Sequence, residues 1–502
     1  MNRTGRALLI AGFMAATFTA CKKDSGPERG QIQGPDLDFY ALSDDNKLML
    51  MNASSAAMVK GTMDITGVES GESILSIDFR PATGQLYGLG SRNHIYVINI
   101  DNGSAHAIGA MPFSPGIDGS SASIDFNPTV DRIRLVSPAG QNLRLNPETG
   151  AVQATDGRIN GVANAQIGAV AYTNSKAGAS ATVLYDIDIA NNKLHKQDPP
   201  NDGGLVEVGD LGVDAEEMAA FDISPDNSSA IAALRVGGRN SLYRIDLNSG
   251  RASAIGELPG NVRGLAIPTE PVAYAVNFAN ELMIFNPMNP GTPVIKAIAG
   301  MQAGEDVIGI DFRPVNGQLY AGGSTGRLYT INASSGAATA VGSAPFAQLD
   351  GVSFGFDFNP TVDRIRLVSN TGQNLRLNPN DGTLAATDGR LNPGTPFVSG
   401  AAYTNNVAGA TSTKLYVIDA RAKKLFVQDP PNAGTLVEVG DLGMSVDDND
   451  GFDIGGRSGA AWAILSMNSG GKLYRINLET GAATPTADFP ASVRGFAVGL
   501  GF

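Results

Sequence analysis

Short apolar runs of about five residues follow one another along most of the chain, and turns rich in Gly, Asn, Asp and Pro separate them. Such runs are typical of β-strands that tight turns join into antiparallel meanders. One stretch predicts four strands, at Ile74–Arg80, Leu86–Gly90, Ile95–Ile100 and Ala105–Gly109. No segment combines a sustained helical period with helix caps. The pattern therefore predicts an all-β protein.

The four-strand unit repeats along the chain, and in each repeat an apolar run closes on Asn or Asp, as in Ile95–Asn99 and Leu242–Asp246. The closing residues are Asn52, Asn99, Asn146, Asp188, Asp246, Asn286, Asn332, Asn378, Asp419 and Asn477. A short amide or carboxylate can bond main-chain N–H groups two residues on, so we expect these residues to start turns. Four-stranded units that recur every ~40–50 residues are typical of the blades of a β-propeller.

A longer repeat divides the chain into two copies of one domain. The segment 125–137 returns unchanged at 357–369, and similar matches place the copies at 37–268 and 272–502. Each copy therefore holds five of the predicted blades.

The ends of each copy indicate how its blades close into a ring. The first copy begins, at Phe39–Leu42, with what resembles the second strand of a blade and ends, at Val262–Ala266, with what resembles a first strand. The last strand could thus complete the first blade and cover both sheet edges, which gives two five-bladed rings. The alternative is one ten-bladed ring, in which residues 262–267 continue directly into 272–278.

The N-terminus resembles a bacterial lipoprotein signal. A basic start precedes the apolar stretch 7–17, and small residues then lead to Cys21, the one cysteine of the chain. We interpret residues 1–21 as a lipoprotein signal peptide with Cys21 as the lipidated residue, although Phe18 stands where a lipobox usually has Leu. The alternative is an ordinary secretory signal with a chance cysteine.

The stretch after the cysteine predicts where the protein is held. Residues 22–36 are polar and rich in Gly and Pro, which is typical of a flexible tether. No later run is long and apolar enough to cross a membrane. We therefore expect an exported protein that is attached to the membrane through the Cys21 lipid only, in the outer membrane or at the cell surface.

The charge balance excludes one class of partner. The chain has 36 Lys and Arg residues against 49 Asp and Glu residues, which gives a net charge of −13. An acidic surface repels a phosphate backbone, so nucleic acid is not an expected partner.

Long motifs in both copies resemble a known family. The run D-F-N-P-T-V-D-R-I-R-L-V-S at 125–137 is followed by G-Q-N-L-R-L-N-P and T-D-G-R, and later by A-Y-T-N, Q-D-P-P and V-E-V-G-D-L-G. The chain thereby resembles domain-of-unknown-function family 4394 over nearly all of both copies. That resemblance implies an exported bacterial domain and no assigned activity.

The same motifs place arginines and amides on two neighbouring strands. Since alternate residues of a strand share a face, Arg132 points with Arg134 and Asn142 points with Arg144. This stripe predicts a binding site for an anion or a glycan. Its candidate residues are Asn127, Asp131, Arg132, Arg134, Asn142 and Arg144 in copy one, and Asn359, Asp363, Arg364, Arg366, Asn374 and Arg376 in copy two. The alternative is a structural network in which the nearby acids and Asn127 bind the arginines.

Several first strands carry a carboxylate near their end. These residues are Asp78, Asp125, Asp222, Asp311, Asp357 and Asp453. First strands line the channel of a propeller, so the carboxylates are candidate ligands for Ca²⁺, and turn capping is the alternative. The acidic segment 447–451 has no counterpart in copy one, and we interpret it as a loop.

Little in the sequence predicts catalysis. The histidines His94, His106 and His195 are not repeated in copy two, so a histidine chemistry shared by the copies is excluded. No cofactor other than calcium is expected. The leading hypothesis is a binding protein for a glycan or another protein at the cell envelope. The alternatives are a carboxylate-based glycan hydrolase or lyase, which a pocket with two close acids and a shifted pKa would favour, and a purely structural envelope protein.

Overall fold

A computed structural model describes residues 31–216, 219–448, 450–467 and 470–502. The predicted signal peptide with Cys21 and residues 22–30 of the predicted tether lie outside these residues. The rest of that segment does not form a free tether, because the Ile32 N–H donates to the main-chain oxygen of Ala254 at 2.9 Å and the Asn52 side chain donates to Asp36 Oδ1 at 2.9 Å. The described chain is all-β apart from two single 3₁₀ turns, Ala53–Ser55 and Pro431–Ala433. Within it, no α-helix has the length and hydropathy that a bilayer-spanning segment requires.

The first copy consists of twenty strands. They are β1 (Asp38–Ser43), β2 (Lys47–Asn52), β3 (Val59–Asp64), β4 (Ile74–Phe79), β5 (Leu86–Gly90), β6 (Ile95–Ile98), β7 (Ala105–Ile108), β8 (Ser123–Asn127), β9 (Arg132–Val136), β10 (Asn142–Leu145), β11 (Val152–Thr155), β12 (Ile167–Tyr172), β13 (Leu184–Asp188), β14 (Lys193–Gln197), β15 (Leu205–Asp210), β16 (Ala219–Ile223), β17 (Ala230–Val236), β18 (Arg239–Ile245), β19 (Ala252–Glu257) and β20 (Val262–Ala266).

The second copy repeats this series. Its strands are β21 (Ala273–Asn277), β22 (Glu281–Asn286), β23 (Asn289–Ala297), β24 (Val307–Arg313), β25 (Gln318–Gly323), β26 (Leu328–Ile331), β27 (Ala338–Val341), β28 (Phe354–Asn359), β29 (Arg364–Ser369), β30 (Asn374–Leu377), β31 (Leu384–Thr387), β32 (Val398–Tyr403), β33 (Leu415–Asp419), β34 (Lys424–Gln428), β35 (Leu436–Asp441), β36 (Asp450–Ile454), β37 (Ala461–Met467), β38 (Gly470–Ile476), β39 (Ala483–Phe489) and β40 (Val493–Val498).

These strands form ten four-stranded antiparallel sheets, which are the blades of a β-propeller fold. In eight sheets the four strands are consecutive, as in β4-β5-β6-β7. In the other two, the last strand of a copy joins the first three strands of the same copy, with the orders β20-β1-β2-β3 and β23-β22-β21-β40. The pairs Tyr40↔Ala266 and Ala273↔Val498 fix the registers of these closing strands.

The innermost strands of the blades pack against one another in sequence. In the first copy β4, β8, β12, β16 and β20 each contact the next, and β20 also contacts β4. In the second copy β24, β28, β32, β36 and β40 follow the same order, and β40 contacts β24. The sequence prediction for β4 to β7 is confirmed to within one or two residues.

The core lies between neighbouring blades, and a single strand supplies side chains to two parts of it. In β5, Leu86 packs with Phe79 on one face, whereas Tyr87 packs with Phe126 of the next blade on the other. The rings of Tyr87 and Phe126 meet edge to face, with centroids 5.1 Å apart. Because both faces of the sheet are covered, the whole of β5 is buried. This explains why the apolar runs are nearly continuous.

The residues that close the apolar runs start turns. The side-chain Oδ1 of Asn99 accepts the main-chain N–H of Asp101 at 2.8 Å, and the main-chain oxygen of Asn99 accepts the N–H of Gly103 at 2.8 Å. Gly103 has a φ of 74°, a conformation that glycine adopts without a Cβ clash. The predicted structural role of Asn99 is therefore confirmed.

The two copies touch each other through specific polar contacts. The Tyr274 hydroxyl donates to the main-chain oxygen of Ala82 at 2.9 Å, and Nη1 of Arg80 donates to the oxygen of Gly317 at 3.0 Å. These bonds join buried groups, since Arg80 and Tyr274 are almost fully inaccessible. The copies are therefore packed together rather than only linked through the chain.

Candidate functional site

The six predicted carboxylates converge in two groups of three on the innermost strands. In the first copy Asp78, Asp125 and Asp222 lie on β4, β8 and β16, and one oxygen of each lies within 4.8 Å of the others. The second copy brings Asp311, Asp357 and Asp453 together in the same way. We call each group an axial triad. All six side chains are buried.

The carboxylates of the first triad connect neighbouring blades instead of capping turns. Asp78 Oδ2 accepts the main-chain N–H of Phe126 at 2.7 Å. Asp125 Oδ1 accepts the N–H of Tyr172 at 2.9 Å, and this residue also lies on the next blade. The alternative that the sequence left open, capping of a turn, is therefore replaced by a link between strands that are far apart in the chain.

The remaining inner strands carry alanine at the matching position, Ala171 in β12 and Ala266 in β20. An alanine offers no acceptor to the blade that follows it. In the two blades that follow an alanine, the aspartate accepts the N–H of the next residue in its own strand. Asp222 Oδ1 thus accepts the N–H of Ile223 at 2.6 Å, and Asp78 Oδ1 accepts that of Phe79 at 2.7 Å.

A bond from the end of β20 to Asp222 completes this group of hydrogen bonds. Asp222 Oδ2 accepts the N–H of Ile267 at 2.6 Å, so three aspartates receive five main-chain N–H groups, one from each inner strand or its end. The Oδ2 atom of Asp125 is outside this set among the described residues. The second copy has the same arrangement, with Asp357 Oδ1 receiving the N–H of Tyr403 at 2.9 Å.

The triads cannot carry three full charges near neutral pH. Burial, and secondarily the charge of Asp222, raises the pKa of Asp78 well above its ordinary range. Burial and the neighbouring carboxylates do the same to the pKa of Asp125, and burial raises the pKa of Asp222 and Asp453 to about 7. Either protons or a cation must therefore compensate the carboxylates.

The donor set fits protons better than calcium. Calcium takes six to eight oxygen ligands, whereas five of the six oxygens in the first triad already accept main-chain hydrogens. A proton needs only one free oxygen, and Oδ2 of Asp125 supplies it. Calcium at the axial triads stays a prediction.

The arginines at the centre of the predicted stripe are buried and saturated with internal partners. Arg134 is 1% exposed, and Nη1 donates to Asp156 Oδ2 at 2.6 Å and to Asn142 Oδ1 at 2.7 Å. Nη2 donates to Asn201 Oδ1 at 2.8 Å. In copy two, Arg366 is held in the same way by Asp388, Asn374 and Asn432. These are contacts of a structural network.

The partners of this network differ from those that the sequence suggested. Asp131 receives Nε of Arg80 at 2.8 Å, from the preceding blade, and the Asn127 side chain accepts the N–H of Thr129 at 3.0 Å within its own turn. The same turn exists around Asn359 in copy two. Asp363 likewise receives Nε of Arg313 at 2.8 Å.

The outer part of the stripe is more accessible but is also paired. Arg144 donates to both oxygens of Asp156, at 2.8 and 2.9 Å, and Arg376 does the same with Asp388, at 2.8 and 3.0 Å. Arg132 and Arg364 donate to the main-chain oxygen of the residue before them, at 2.7 and 2.8 Å. An anionic ligand would have to displace these internal acceptors. Binding at the stripe stays a prediction.

A separate cavity of about 440 Å³ lies in the second copy, where all five inner strands begin. Each of these strands contributes to its wall, through Ile308, Phe354, Ser399, Asp450 and Arg494. We call this cavity the mouth of the second copy. Its wall combines apolar side chains with convergent polar and charged groups, and both kinds of group are used in ligand sites.

A buried carboxylate forms part of the wall of the mouth. Asp450 is 3% exposed, and its Oδ2 accepts the Ser399 hydroxyl at 2.6 Å. Its Oδ1 is buried and has no hydrogen-bond partner among the described residues. Burial, with a smaller contribution from Asp448, raises the pKa of Asp450 to about 7.

The rim of the mouth combines an ion pair with exposed apolar groups. Arg494 Nη1 lies 2.8 Å from Asp306 Oδ1, and the guanidinium lies 4.4 Å from the centre of the Phe278 ring. Phe278 is 44% exposed and Val352 is 80% exposed. Large apolar side chains left open beside a cavity are typical of a binding surface.

The first copy lacks this chemistry at the same positions. Ser399 and Asp450 correspond to Gly168 and Ala219, and the rim residues Phe278 and Val352 correspond to Asp44 and Ser120. The chemistry of the mouth is therefore specific to the second copy.

Sequence reasoning missed this site. The prediction of a loop over 447–451 is wrong for Asp450 and Gly451, which begin β36. The signal was available, because Asp450 stands where copy one has Ala219. A side chain that differs between two otherwise matching copies points to a role that the copies do not share.

Comparison with known proteins identifies the domain. The model of the family described as "Domain of unknown function (DUF4394)" matches residues 47–266 and 281–497. No curated protein matches the chain.

Two solved structures resemble the chain weakly. One is described as the Dos1 propeller, with 11% identity, coverage of 67% of this chain and 90% of that chain, and a TM-score of 0.27. The other is PorZ, described as a bacterial surface component of the type-IX secretion system of Porphyromonas gingivalis, with 15% identity, coverage of 89% and 65%, and a TM-score of 0.26. The chain thus spans less than two thirds of PorZ. From the family match, the protein belongs to the DUF4394 family and contains two tandem copies of its domain.

Proposed function

We propose that the protein is an exported, lipid-anchored pair of five-bladed β-propellers that binds a glycan or protein ligand at the mouth of the second copy. The observation that carries this proposal is the cavity of about 440 Å³ at the start of the five inner strands of that copy. Its wall combines a buried carboxylate with exposed apolar side chains, and the first copy has neither at these positions.

Two lines of support favour two rings over one ring of ten blades. The last strand of each copy pairs with the first strand of the same copy, β20 with β1 and β40 with β21. The inner strands also contact one another in a cycle within each copy. A ring of ten blades would need β20 to lie beside a strand of the second copy.

Anchoring rests on the N-terminal sequence. The apolar stretch 7–17 is followed by Cys21 at the position where lipid attachment requires it, and polar residues separate this cysteine from the first copy. A lipid anchor would place the mouth at the surface of the envelope, in reach of glycans and proteins. Loss of membrane association in a Cys21→Ser variant, measured by fractionation, is the expected result.

A second candidate function is cleavage of a glycan by carboxylates. One observation favours it: Asp448 and Asp450 lie in the same cavity, and the pKa of Asp450 is raised to about 7. Against this, a general acid must contact the glycosidic oxygen. Asp450 Oδ2 is held by the Ser399 hydroxyl, which leaves only Oδ1 for a ligand. Cleavage also needs a second carboxyl group placed as base or nucleophile on the other side of the glycosidic bond, whereas binding needs only the one contact. Binding therefore accounts for the geometry better than catalysis does.

The proposal is tested by a glycan array and by capture of envelope proteins, with the purified protein as bait. The matched variant combines Ser399→Gly with Asp450→Ala, since the first copy folds with glycine and alanine at these positions. A variant of the stripe, Arg144→Ala with Arg376→Ala, serves as the control. Mass spectrometry of the bound glycan reports any cleavage.

We expect a ligand that the wild type and the stripe variant retain and the mouth variant loses. Loss of ligand binding in the stripe variant alone would show that the arginines bind the ligand instead. Cleaved glycan that disappears with the mouth variant would support the enzymatic alternative instead. No ligand for any of the three proteins would contradict a binding function.

A further inference from the structure

We propose that the mouth of the second copy binds an organic ammonium group on an apolar stem, the chemistry that a lysine side chain and a free alkylamine share. This inference rests on the proposed function and specifies its ligand. It follows from the charges in the cavity, from the unsatisfied atom in its wall and from the apolar surface around them.

The charges of the cavity select a cation. Its wall includes three acids, Asp306, Asp448 and Asp450, and one base, Arg494. Arg494 is already paired with Asp306 at 2.8 Å. Neither Asp448 nor Asp450 has an ion-pair partner within the described part of the chain. An anionic ligand would add to this negative charge, whereas a cation would compensate it.

An unsatisfied atom selects a hydrogen-bond donor. Asp450 is more than nine-tenths buried, and its Oδ1 lacks a partner among residues 31–502 as far as the structure describes them. A buried acceptor without a donor costs about 1–3 kcal/mol. An alkylammonium offers three N–H donors and a full positive charge, so it can serve this carboxylate and a second acceptor at once.

The apolar wall selects a carbon stem over a bare metal ion. Ile308 and Phe354 line the same cavity as the acids, and Val352 and Phe278 are exposed at its rim. A calcium ion could use the carboxylate oxygens of this wall but would leave its apolar side chains uncovered. The methylene groups of a lysine-like stem would instead cover Val352 and Phe278 and remove apolar area from water.

The pH dependence of binding follows from the same residue. Asp450 must be ionised to pair with an ammonium group, and its pKa is raised to about 7. The other charged groups that face it across the cavity are Asp448, Asp306 and Arg494. Affinity should therefore increase as pH rises from 6 to 8, while the amine remains protonated.

The test is isothermal titration of the purified protein with cadaverine and with Nα-acetyl-lysine methylamide. The neutral controls are 1-pentanol and the Nε-acetylated form of the same lysine derivative, and CaCl₂ is the inorganic control. Two variants are compared with the wild type: Asp450→Asn, which keeps the shape of the side chain, and Ser399→Gly combined with Asp450→Ala. Circular dichroism confirms that each is folded.

We expect both amines, or the lysine derivative alone if the source is a polypeptide, to bind the wild type. Both variants should weaken binding about tenfold or more, which corresponds to about 1.4 kcal/mol. Binding of the neutral controls with equal affinity, binding of CaCl₂ in place of the amines, or unchanged affinity in Asp450→Asn would overturn the inference. If the amines do not bind, but the mouth variant still loses the ligand found by the array or by capture, the proposed function holds and only this ligand class is wrong. If the amines do not bind and the array and capture experiments find no ligand either, the proposed function and this inference are both wrong.

Discussion

Asp186 and His195 face each other across β13 and β14 in the first copy, and both side chains are fully buried. The described residues provide no hydrogen-bond partner for either carboxylate oxygen of Asp186, and the Nε2 atom of His195 lies 3.5 Å from Asp188 Oδ2. In the second copy the same cross-strand pair is Val417 and Phe426. One blade thus contains a buried polar pair, of which Asp186 lacks a hydrogen-bond partner, where its duplicate contains an apolar pair.

The first prediction is that Asp186→Val combined with His195→Phe stabilises the protein. Replacing a buried polar pair by well-packed apolar residues often raises the free energy of unfolding by about 1–4 kcal/mol. The reverse exchange in copy two, Val417→Asp with Phe426→His, should lower it. Urea unfolding followed by circular dichroism measures both. An equal or lower stability of the first variant would show that Asp186 and His195 have partners that compensate their burial.

The second prediction concerns pH. Burial raises the pKa of Asp186 to about 8 and that of Asp222, Asp450 and Asp453 to about 7. A carboxyl whose pKa is higher in the folded state binds its proton more tightly there, so its contribution to stability is complete below pH 4 and is lost as pH rises through the folded value. The midpoint temperature of unfolding should therefore fall between pH 5 and pH 8.

This decrease has an internal control. The Asp186→Val, His195→Phe variant should lose the part of the decrease that lies near pH 8 and retain the part near pH 7. Differential scanning calorimetry at closely spaced pH values resolves the two. A midpoint that rises with pH over this interval would mean that these carboxyls are ionised in the folded protein.

The third prediction separates protons from calcium at the axial triads. In Asp125→Asn the side-chain oxygen can still accept the N–H of Tyr172, and the amide NH₂ takes the place of a protonated Oδ2. Stability at pH 8 should be unchanged or higher, whereas Asp125→Ala should lose about 1–3 kcal/mol because the N–H of Tyr172 is left unpaired. Thermal unfolding in the presence of CaCl₂ or of a chelator then shows whether calcium contributes to stability. A midpoint that CaCl₂ raises in the wild type but not in Asp125→Asn would favour a calcium ion.

The fourth prediction compares two equivalent arginines. Arg80 is 1% exposed, binds Asp131 and Glu148, and donates to the second copy through the oxygen of Gly317. Its counterpart Arg313 binds a more accessible partner, Asp363, whose side chain is 27% exposed.

Substitution of the buried arginine should therefore cost more. Removing one member of a buried ion pair leaves the other charge uncompensated, which costs about 3–5 kcal/mol, so Arg80→Ala should destabilise the protein by that amount. Arg313→Ala should cost clearly less, since water can reach Asp363. If urea unfolding gave the same loss of stability for both variants, the contact between the copies and the burial of Glu148 would not contribute to stability.

Much of the fold was predictable because it depends on local patterns. Runs such as Leu86–Gly90 bury both faces in a stack of blades, and closing residues such as Asn99 start turns through their own side chains. Both signals are contained in a few adjacent residues. Because the domain is duplicated, each predicted strand could also be checked against its counterpart in the other copy.

The site was less predictable because it depends on residues that are distant in the chain. Arg134 looked available in sequence, but its partners Asp156 and Asn201 come from another strand and another blade. Ser399 and Asp450 meet only once two blades are side by side. Their absence from copy one was the one signal in the sequence, and it shows that differences between repeats inform function where similarities inform fold.

The most direct test of ligand binding at the mouth is a crystal structure of the protein grown with cadaverine. We expect density for the amine in the cavity of the second copy, with a nitrogen within hydrogen-bonding distance of Asp450 and the carbon chain against Val352, and none at the matching position of the first copy near Ala219. Density at the arginine stripe, or equal density in both copies, would contradict the account.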